Sequence, residues 1–263
     1  MAWRAVVCSS IGTRHQKQQL PCQDYGNYCI FENAIAGVVA DGAGSAKHSD
    51  VGAQLAVETV MKIFTEIERS PQPQDRLSSP LNLKEARELF TKLVKEVVAT
   101  LEQQSVNNNY SINDLACTLL VFVATPDWFA AMQIGDGFIV VRLQGEEYKL
   151  LFHPDKGEFV NQTTFVTSAN ALDEMQVKVL SGKQTFICAS TDGLERVAIQ
   201  MRDWTPFSPF FKPLEQYLGE THNSEEDHEY IKNFLDSERL NARTDDDKTL
   251  LLCLYNRAAF NDS

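Results

Sequence analysis

Four short acidic motifs, each at the mouth of an apolar run, hold the residue types that could do chemistry. They are Ala40-Asp41-Gly42-Ala43-Gly44, Gly135-Asp136-Gly137, Ser190-Thr191-Asp192-Gly193 and Asp245-Asp246-Asp247-Lys248-Thr249. A fifth acid, Asp24, closes Pro21-Cys22-Gln23-Asp24. In each of the four, a strand-like segment stops and a carboxylate is presented on a tight turn or strand edge. Glycine beside the aspartate lets the backbone turn with positive φ and lets a ligand approach closely. One Asp-Gly pair is only a turn signal. Several converging acids raise one another's pKa unless something positive sits between them. Oxygen-only donors favour hard ions, so magnesium or manganese is expected in that place.

The elements that must deliver these acids are legible from periodicity. Ala34 to Ala40 reads as a buried strand ending at Asp41. A helix from about Ser49 to Arg69 follows, with Leu55, Ala56, Val60, Ile63, Phe64 and Ile67 at helical spacing. A second helix starts at Asn82, which forms a capping pair with Glu85. The period then changes. Leu115–Ala124, Trp128–Ile134, Phe138–Leu143 and Glu147–Phe152 read as strands joined by short turns, and such connections imply antiparallel neighbours. A polar stretch, 153–171, precedes strands near Gln176–Leu180 and Gln184–Ala189, the latter leading to Asp192. Two helical segments fill 205–240, and a last strand, Thr249–Tyr255, follows the aspartate run. The start, Met1 to Cys8, reads as a first strand. This order predicts an α+β sandwich of two antiparallel sheets with helices outside.

Composition narrows the function. A length of 263 residues suits one large domain or two small ones. The net charge of −12 argues against a nucleic-acid partner, which needs a basic footprint. No run of about 18 apolar residues occurs, so no membrane partner is expected. The six cysteines form no close pair, and a reduced, cytoplasmic protein is expected rather than a disulfide framework or zinc site. His15 and His48 read as solvated. Glu225-Glu226-Asp227 reads as a helix start capped by Ser224.

In order and flanks the five acids resemble the metal-dependent type 2C (PPM-type) protein serine/threonine phosphatases, in their short bacterial form. The motifs that carry the resemblance are Gln23-Asp24, Asp41-Gly42-Ala43-Gly44, Gly135-Asp136, Thr191-Asp192-Gly193 and Asp246-Asp247-Lys248-Thr249. It covers roughly residues 3–255 and implies a single domain over 1–263, with a reduced substrate flap at about 153–171. By that resemblance Asp41 bridges two Mn2+ or Mg2+ ions, and the Gly42 carbonyl binds one of them. Asp192 and Asp246 hold the other. Asp24 binds directly or through waters, and Asp136 serves a weaker third metal. Asp24, Asp41, Asp192 and Asp246 form the catalytic set. A metal-activated water then hydrolyses phosphoserine and phosphothreonine in proteins, opposing a cognate Ser/Thr kinase, with the phosphatase expected as a monomer in signal transduction.

The pattern departs from the family at two points. Members commonly carry an arginine five residues before the early acid to grip phosphate, whereas Arg14 lies ten before Asp24. Arg14 either folds back over the site or is a solvated loop charge. Animal members often have histidine where Ala43 stands, which leaves protonation of the leaving oxygen to a metal-bound water. Alternation puts Asp246 on the opposite face from Asp245 and Asp247, so one register error would swap ligand for solvent. Two rival readings are kept: a catalytically weak regulatory or binding module with the same fold, and a small-molecule phosphate-ester hydrolase.

Overall fold

The computed structural model describes residues 3–153, 163–221 and 223–255. The chain opens with β1 (Trp3–Ser10), a short helix α1 (Thr13–Gln18), β2 (Asp24–Ile30) and β3 (Ile35–Asp41). Two long helices follow, α2 (Ser49–Glu68) and α3 (Leu83–Asn108). Next come β4 (Leu119–Ala124), β5 (Trp128–Ile134), β6 (Phe138–Leu143), β7 (Lys149–Leu150), the turn-length helix α4 (Ala171–Glu174), β8 (Gln176–Ser181) and β9 (Gln184–Ser190). The last third holds α5 (Glu195–Ala198), the small pair β10 (Ile199–Gln200) and β11 (Thr205–Pro206), α6 (Ser208–Glu220), α7 (Ser224–Leu235), α8 (Glu238–Asn241) and β12 (Lys248–Tyr255).

Two five-stranded antiparallel sheets face each other, ordered β1-β12-β9-β6-β7 and β2-β3-β4-β5-β8. Strand alternation builds the layers. In β3, Ile35 and Val39 point to the opposing sheet, whereas Ala36, Val38 and Ala40 point to the helices. In β12, Leu251 and Cys253 fill the space between sheets, while Leu250, Leu252 and Leu254 meet the other helical layer. Helices α2 and α3 close one outer face with Val57, Val60, Phe64, Phe90 and Leu93, all buried. Phe211, Leu214, Ile231 and Leu235 of α6 and α7 close the other. The predicted α+β sandwich is the observed one. No helix among the described residues is long and apolar enough to cross a membrane.

Local chemistry sets several boundaries. Asn82 caps α3 through the amides of Lys84 and Glu85, and Glu85 returns a bond to the Asn82 amide, as the sequence predicts. Asn223, not Ser224, caps α7: its side chain accepts from the Glu225 amide at 3.0 Å. The acids there do more than face a helix dipole, since buried Asp227 pairs with Arg4 at 2.6 Å and ties α7 to β1. The strand expected from Leu115 begins only at Leu119, after a 3-10 turn over Ile112–Leu115, and the one expected over Glu147–Phe152 shrinks to two residues.

The expected run of neighbouring strands is broken in one informative place. β4 and β5 pair, but β5 and β6 belong to different sheets. Gly135, at φ +104°, turns the chain across the gap, and Asp136 rides on that crossing rather than on a hairpin. Both strands are apolar on both faces, so alternation carries no sign of the switch.

Candidate active site

The acids meet at one end of the sandwich, with both sheets contributing. β2 and β3 pair in a register that sets Asp24 directly opposite Asp41. Asp192 follows β9 and Asp246 precedes β12, which are neighbours in the other sheet. A cleft of about 140 Å³ is lined by Asp41, Gly42, Asp136, Asp192, Asp246 and Arg14, among others. At about 30 Å³ per water, that volume takes a phosphoryl group and a few waters.

Backbone contacts fix Asp41. Its amide donates to Thr118 Oγ1 at 3.0 Å, its carbonyl accepts from the Thr118 amide at 2.8 Å, and the next amide, Gly42, donates to the Gln23 carbonyl at 3.0 Å. Asp24 is 5 % exposed. Its Oδ2 accepts from Thr191 Oγ1 at 2.7 Å, and that hydroxyl in turn accepts from the Thr249 amide at 2.9 Å. Thr191 thus links the Asp24 strand to both strands that deliver Asp192 and Asp246. Asp24 Oδ1 is fully enclosed and has no donor. A proton shared with Asp41, a cation, or a water held by a cation would satisfy it.

The electrostatics follow from that crowding. Burial pushes Asp24 up to about 8, with the charges of Asp247 and Asp192 adding to the rise. Asp41 lies well above the usual carboxylate range, through burial and then the charges of Asp24 and Asp192. Burial and Asp136 push Asp192 to about 6. Glu195 rises to about 7 through burial, then Asp192 and Asp136. Carboxylates this costly to ionise are what a site for positive charge looks like without its charge.

Asp246 and Asp247 divide the work of the aspartate run. Asp246 is at the cleft, its Oδ1 2.8 Å from Arg14 Nη2. Asp247 is not solvated, as alternation suggested, but 3 % exposed. It accepts from the amides of Gly12 and Gln23, each at 2.6 Å, and sits 2.9 Å from His15 Nδ1. His15 is likewise buried rather than solvated. Arg14 folds back over the site: α1 takes up the first part of the stretch between Arg14 and Asp24 and is capped by Gln19 in the left-handed region, φ 57°. His48 stacks on Tyr110, with ring centroids 3.8 Å apart, and is half-buried. Asp136 accepts from Thr163 Oγ1 at 2.6 Å. Of the expected flap, residues 154–162 lie outside the described residues.

Sequence reasoning read His15 as solvated, quoted Thr191 and Lys248 within motifs without giving them a role, and passed over Thr118. Lys248 is fully buried, with Nζ 2.9 Å from Asn241 Oδ1, and burial pulls its pKa down. Thr118 stands one place before β4 and Lys248 is the first residue of β12, polar residues at the mouths of apolar strands. Gly193 carries a tighter constraint, because a Cβ there would lie 1.9 Å from the Asp247 carbonyl oxygen. Gly193→Ala is therefore expected to cost about 1–3 kcal/mol by overpacking. It should also reduce turnover by parting Asp192 from Asp246, as urea unfolding and a phosphatase assay on one preparation would show.

Among the described residues no three acidic, His or Cys side chains form a ready ligand cage. The acids approach in pairs, Asp24 with Asp41 and Asp41 with Asp192. The donor set still fits a hard divalent cation: all oxygen, crowded, and containing an enclosed carboxylate oxygen that lacks any donor.

Comparison with known proteins agrees with this geometry. Residues 11–236 match the family model described as protein phosphatase 2C. Serine/threonine-protein phosphatase 3 of Escherichia coli (strain K12) is 35 % identical over 262 residues, covering 97 % of this chain and 99 % of that protein. The solved S. agalactiae serine/threonine phosphatase superposes with a TM-score of 0.62 at 15 % identity, covering 97 % of this chain and 100 % of that one. RsbX in complex with magnesium gives 0.54 at 12 % identity, covering 96 % and 94 %. With its paired sheets, its acid cluster at their shared end and a family match over most of its length, the chain belongs to the protein phosphatase 2C family.

Proposed function

We infer that this chain is a protein serine/threonine phosphatase that depends on divalent metal. The family match and the Escherichia coli relative support the activity. The observation that carries the site is the meeting of Asp24, Asp41 and Asp192 from two sheets, with a carboxylate oxygen of Asp24 left without a donor. We assign Asp41, the Gly42 carbonyl, Asp24, Asp192 and Asp246 to two Mg2+ or Mn2+ ions, and Asp136 to a weaker third. Bound cations supply the charge that polarises phosphoryl oxygens and lowers the pKa of water. The chain's own part is to aim its acids from rigid strand ends, so that little reorganisation is needed during in-line displacement. The narrow polar cleft suits a phosphate group presented on an exposed segment of a protein. We further propose a single domain over 1–263 acting as a monomer in the cytoplasm, in signal transduction opposite a Ser/Thr kinase.

Arg14 is proposed to grip the substrate phosphate by exchanging Asp246 for a phosphoryl oxygen. Arg14→Ala should raise KM for a phosphopeptide about tenfold and change kcat less, because a partly exposed charge-assisted contact is worth about one factor of ten. A steady-state comparison of the two parameters checks this. An unchanged KM would return Arg14 to the role of a partner for Asp246.

The function itself is tested by phosphate release from a phosphothreonine peptide with manganese, with chelator, and after manganese is restored. Turnover that appears, vanishes and returns is the expected result. Turnover indifferent to chelator would remove metal from the reading. Faster hydrolysis of nucleotides than of phosphopeptides would replace the protein substrate with a small phosphate ester.

A further inference from the structure

A second, larger groove lies beside the acid cluster and takes no part in it. It has a volume of about 830 Å³ and runs between α5, α6, α7 and α8. Its floor is apolar, formed by Phe210, Leu214, Phe234 and Leu240. Met201, Phe207 and Tyr230 rise at its edges with exposures of 43, 42 and 38 %. Large apolar side chains left this open on one groove mark a binding surface more often than chance exposure. Tyr230 is held in place by stacking on Tyr217, with ring centroids 3.6 Å apart.

Charge identifies the occupant. Arg196, Arg239 and Arg243 line the groove, and none makes a hydrogen bond or ion pair through its side chain among the described residues. Arg196 feels the charge of Glu195 beside it but does not bond it. The whole chain carries −12, so three guanidiniums left without acids in one place stand out against the acidic background. Planar guanidiniums at an apolar groove suit carboxylates flanking an apolar anchor. Position ties the groove to the chemistry. α5 starts at Glu195, three residues after Asp192, and Arg243 stands three residues before Asp246. The segments that deliver two site acids also form the groove's walls.

We propose that this groove docks an acidic segment of the phosphoprotein substrate, one carrying a large apolar side chain, while its phosphorylated residue occupies the cleft. This rests on the phosphatase reading and adds the class of substrate. Docking beside the site lowers KM by raising the local concentration of the phosphorylated residue and leaves the chemical step unchanged.

The test compares a short phosphothreonine peptide with the same peptide extended, on either side, by an acidic segment bearing leucine and phenylalanine. A glycine-serine extension serves as control. One acidic extension should lower KM about tenfold, the sum of a few exposed ion pairs, with kcat unchanged and the gain fading in high salt. The triple variant Arg196→Ser, Arg239→Ser, Arg243→Ser should lose that gain while hydrolysing p-nitrophenyl phosphate at the wild-type rate. The corresponding triple lysine variant should keep most of it. An acidic extension no better than glycine-serine, or a gain that survives in the serine variant, overturns the proposal. A dimer of the wild-type protein in light scattering that dissociates in the serine variant, with no peptide effect, assigns the groove to a second copy instead. Should no phosphopeptide be hydrolysed, the phosphatase reading fails separately. Anisotropy of a labelled, unphosphorylated acidic-apolar peptide then decides the groove: binding lost in the serine variant supports it, and no binding overturns it.

Discussion

Replacing Asp41 with asparagine is expected to lower kcat on a phosphothreonine peptide by about a hundred- to a thousandfold, the loss typical of removing one preorganised electrostatic group. The same change should make the metal-free protein more stable. Asp41 lies well above the ordinary carboxylate range because burial, Asp24 and Asp192 all oppose its charge. An acid whose folded-state pKa is raised keeps its proton in the folded chain at a pH where the unfolded chain has lost it. The folded state then binds more protons, and stability falls as pH rises from about 4, the unfolded value. The fall runs on to about 8, the value to which Asp24 is pushed. In chelator, the melting temperature should therefore decline between pH 5 and pH 8, and Asp41→Asn should flatten the decline. Saturating manganese should reverse it, because a ligand that binds only the folded state stabilises it. Calorimetry across pH, with and without metal, gives all three results. A variant that is inactive yet no more stable in chelator would mean the acids do not crowd as described.

Asp247→Asn should produce the largest loss of stability for a change of one atom type. The native carboxylate only accepts, and all three of its close partners can donate: the Gly12 amide, the Gln23 amide and His15 Nδ1. Asparagine turns one accepting atom into a donor, so at least one buried amide faces another N–H. Breaking a buried charged hub in this way costs about 3–5 kcal/mol. Turnover should also fall, although Asp247 is assigned no ligand role, because the Gly12 and Gln23 bonds set the segments that carry Arg14 and Asp24. His15→Ala removes one of the three bonds and should cost less. Urea midpoints for the pair, measured with metal binding by calorimetry, separate the hub from the ligands. Wild-type stability in Asp247→Asn would show that the carboxylate holds nothing.

The legible parts of this molecule are those with a period or a local code. Helices α2 and α3 announced themselves by spacing, and the Asn82–Glu85 box appeared as written. Apolar runs ending in Asp41 and Asp192 were readable because a strand aims whatever residue follows it. Contacts formed only by tertiary approach were not. α1 has no apolar stripe, and His15 is its one buried residue, so nothing marked it as a helix. The partners of Asp247 lie 224 to 235 positions away in the chain. Residue types in the triplet Asp245-Asp246-Asp247 are identical, so only the fold distinguishes the cleft acid from the buried one. The move of the chain from β5 in one sheet to β6 in the other is hidden for a similar reason, as strands buried on both faces look alike wherever they pair.

The place of β12 has a consequence for how the protein comes into being. It is the last strand among the described residues, yet it lies inside its sheet, with β1 on one side and β9 on the other. Trp3 pairs with Tyr255 and Ser10 with Lys248, across almost the whole length of the chain. During synthesis, which proceeds from the N-terminus, β1 and β9 wait with open edges until residue 255 has emerged. Contacts of such long sequence separation also form slowly. Asp246 and Asp247 arrive with that same strand. Assembly of the acid cluster therefore waits for β12, and one strand both joins β1 to β9 and brings Asp246 to the other acids.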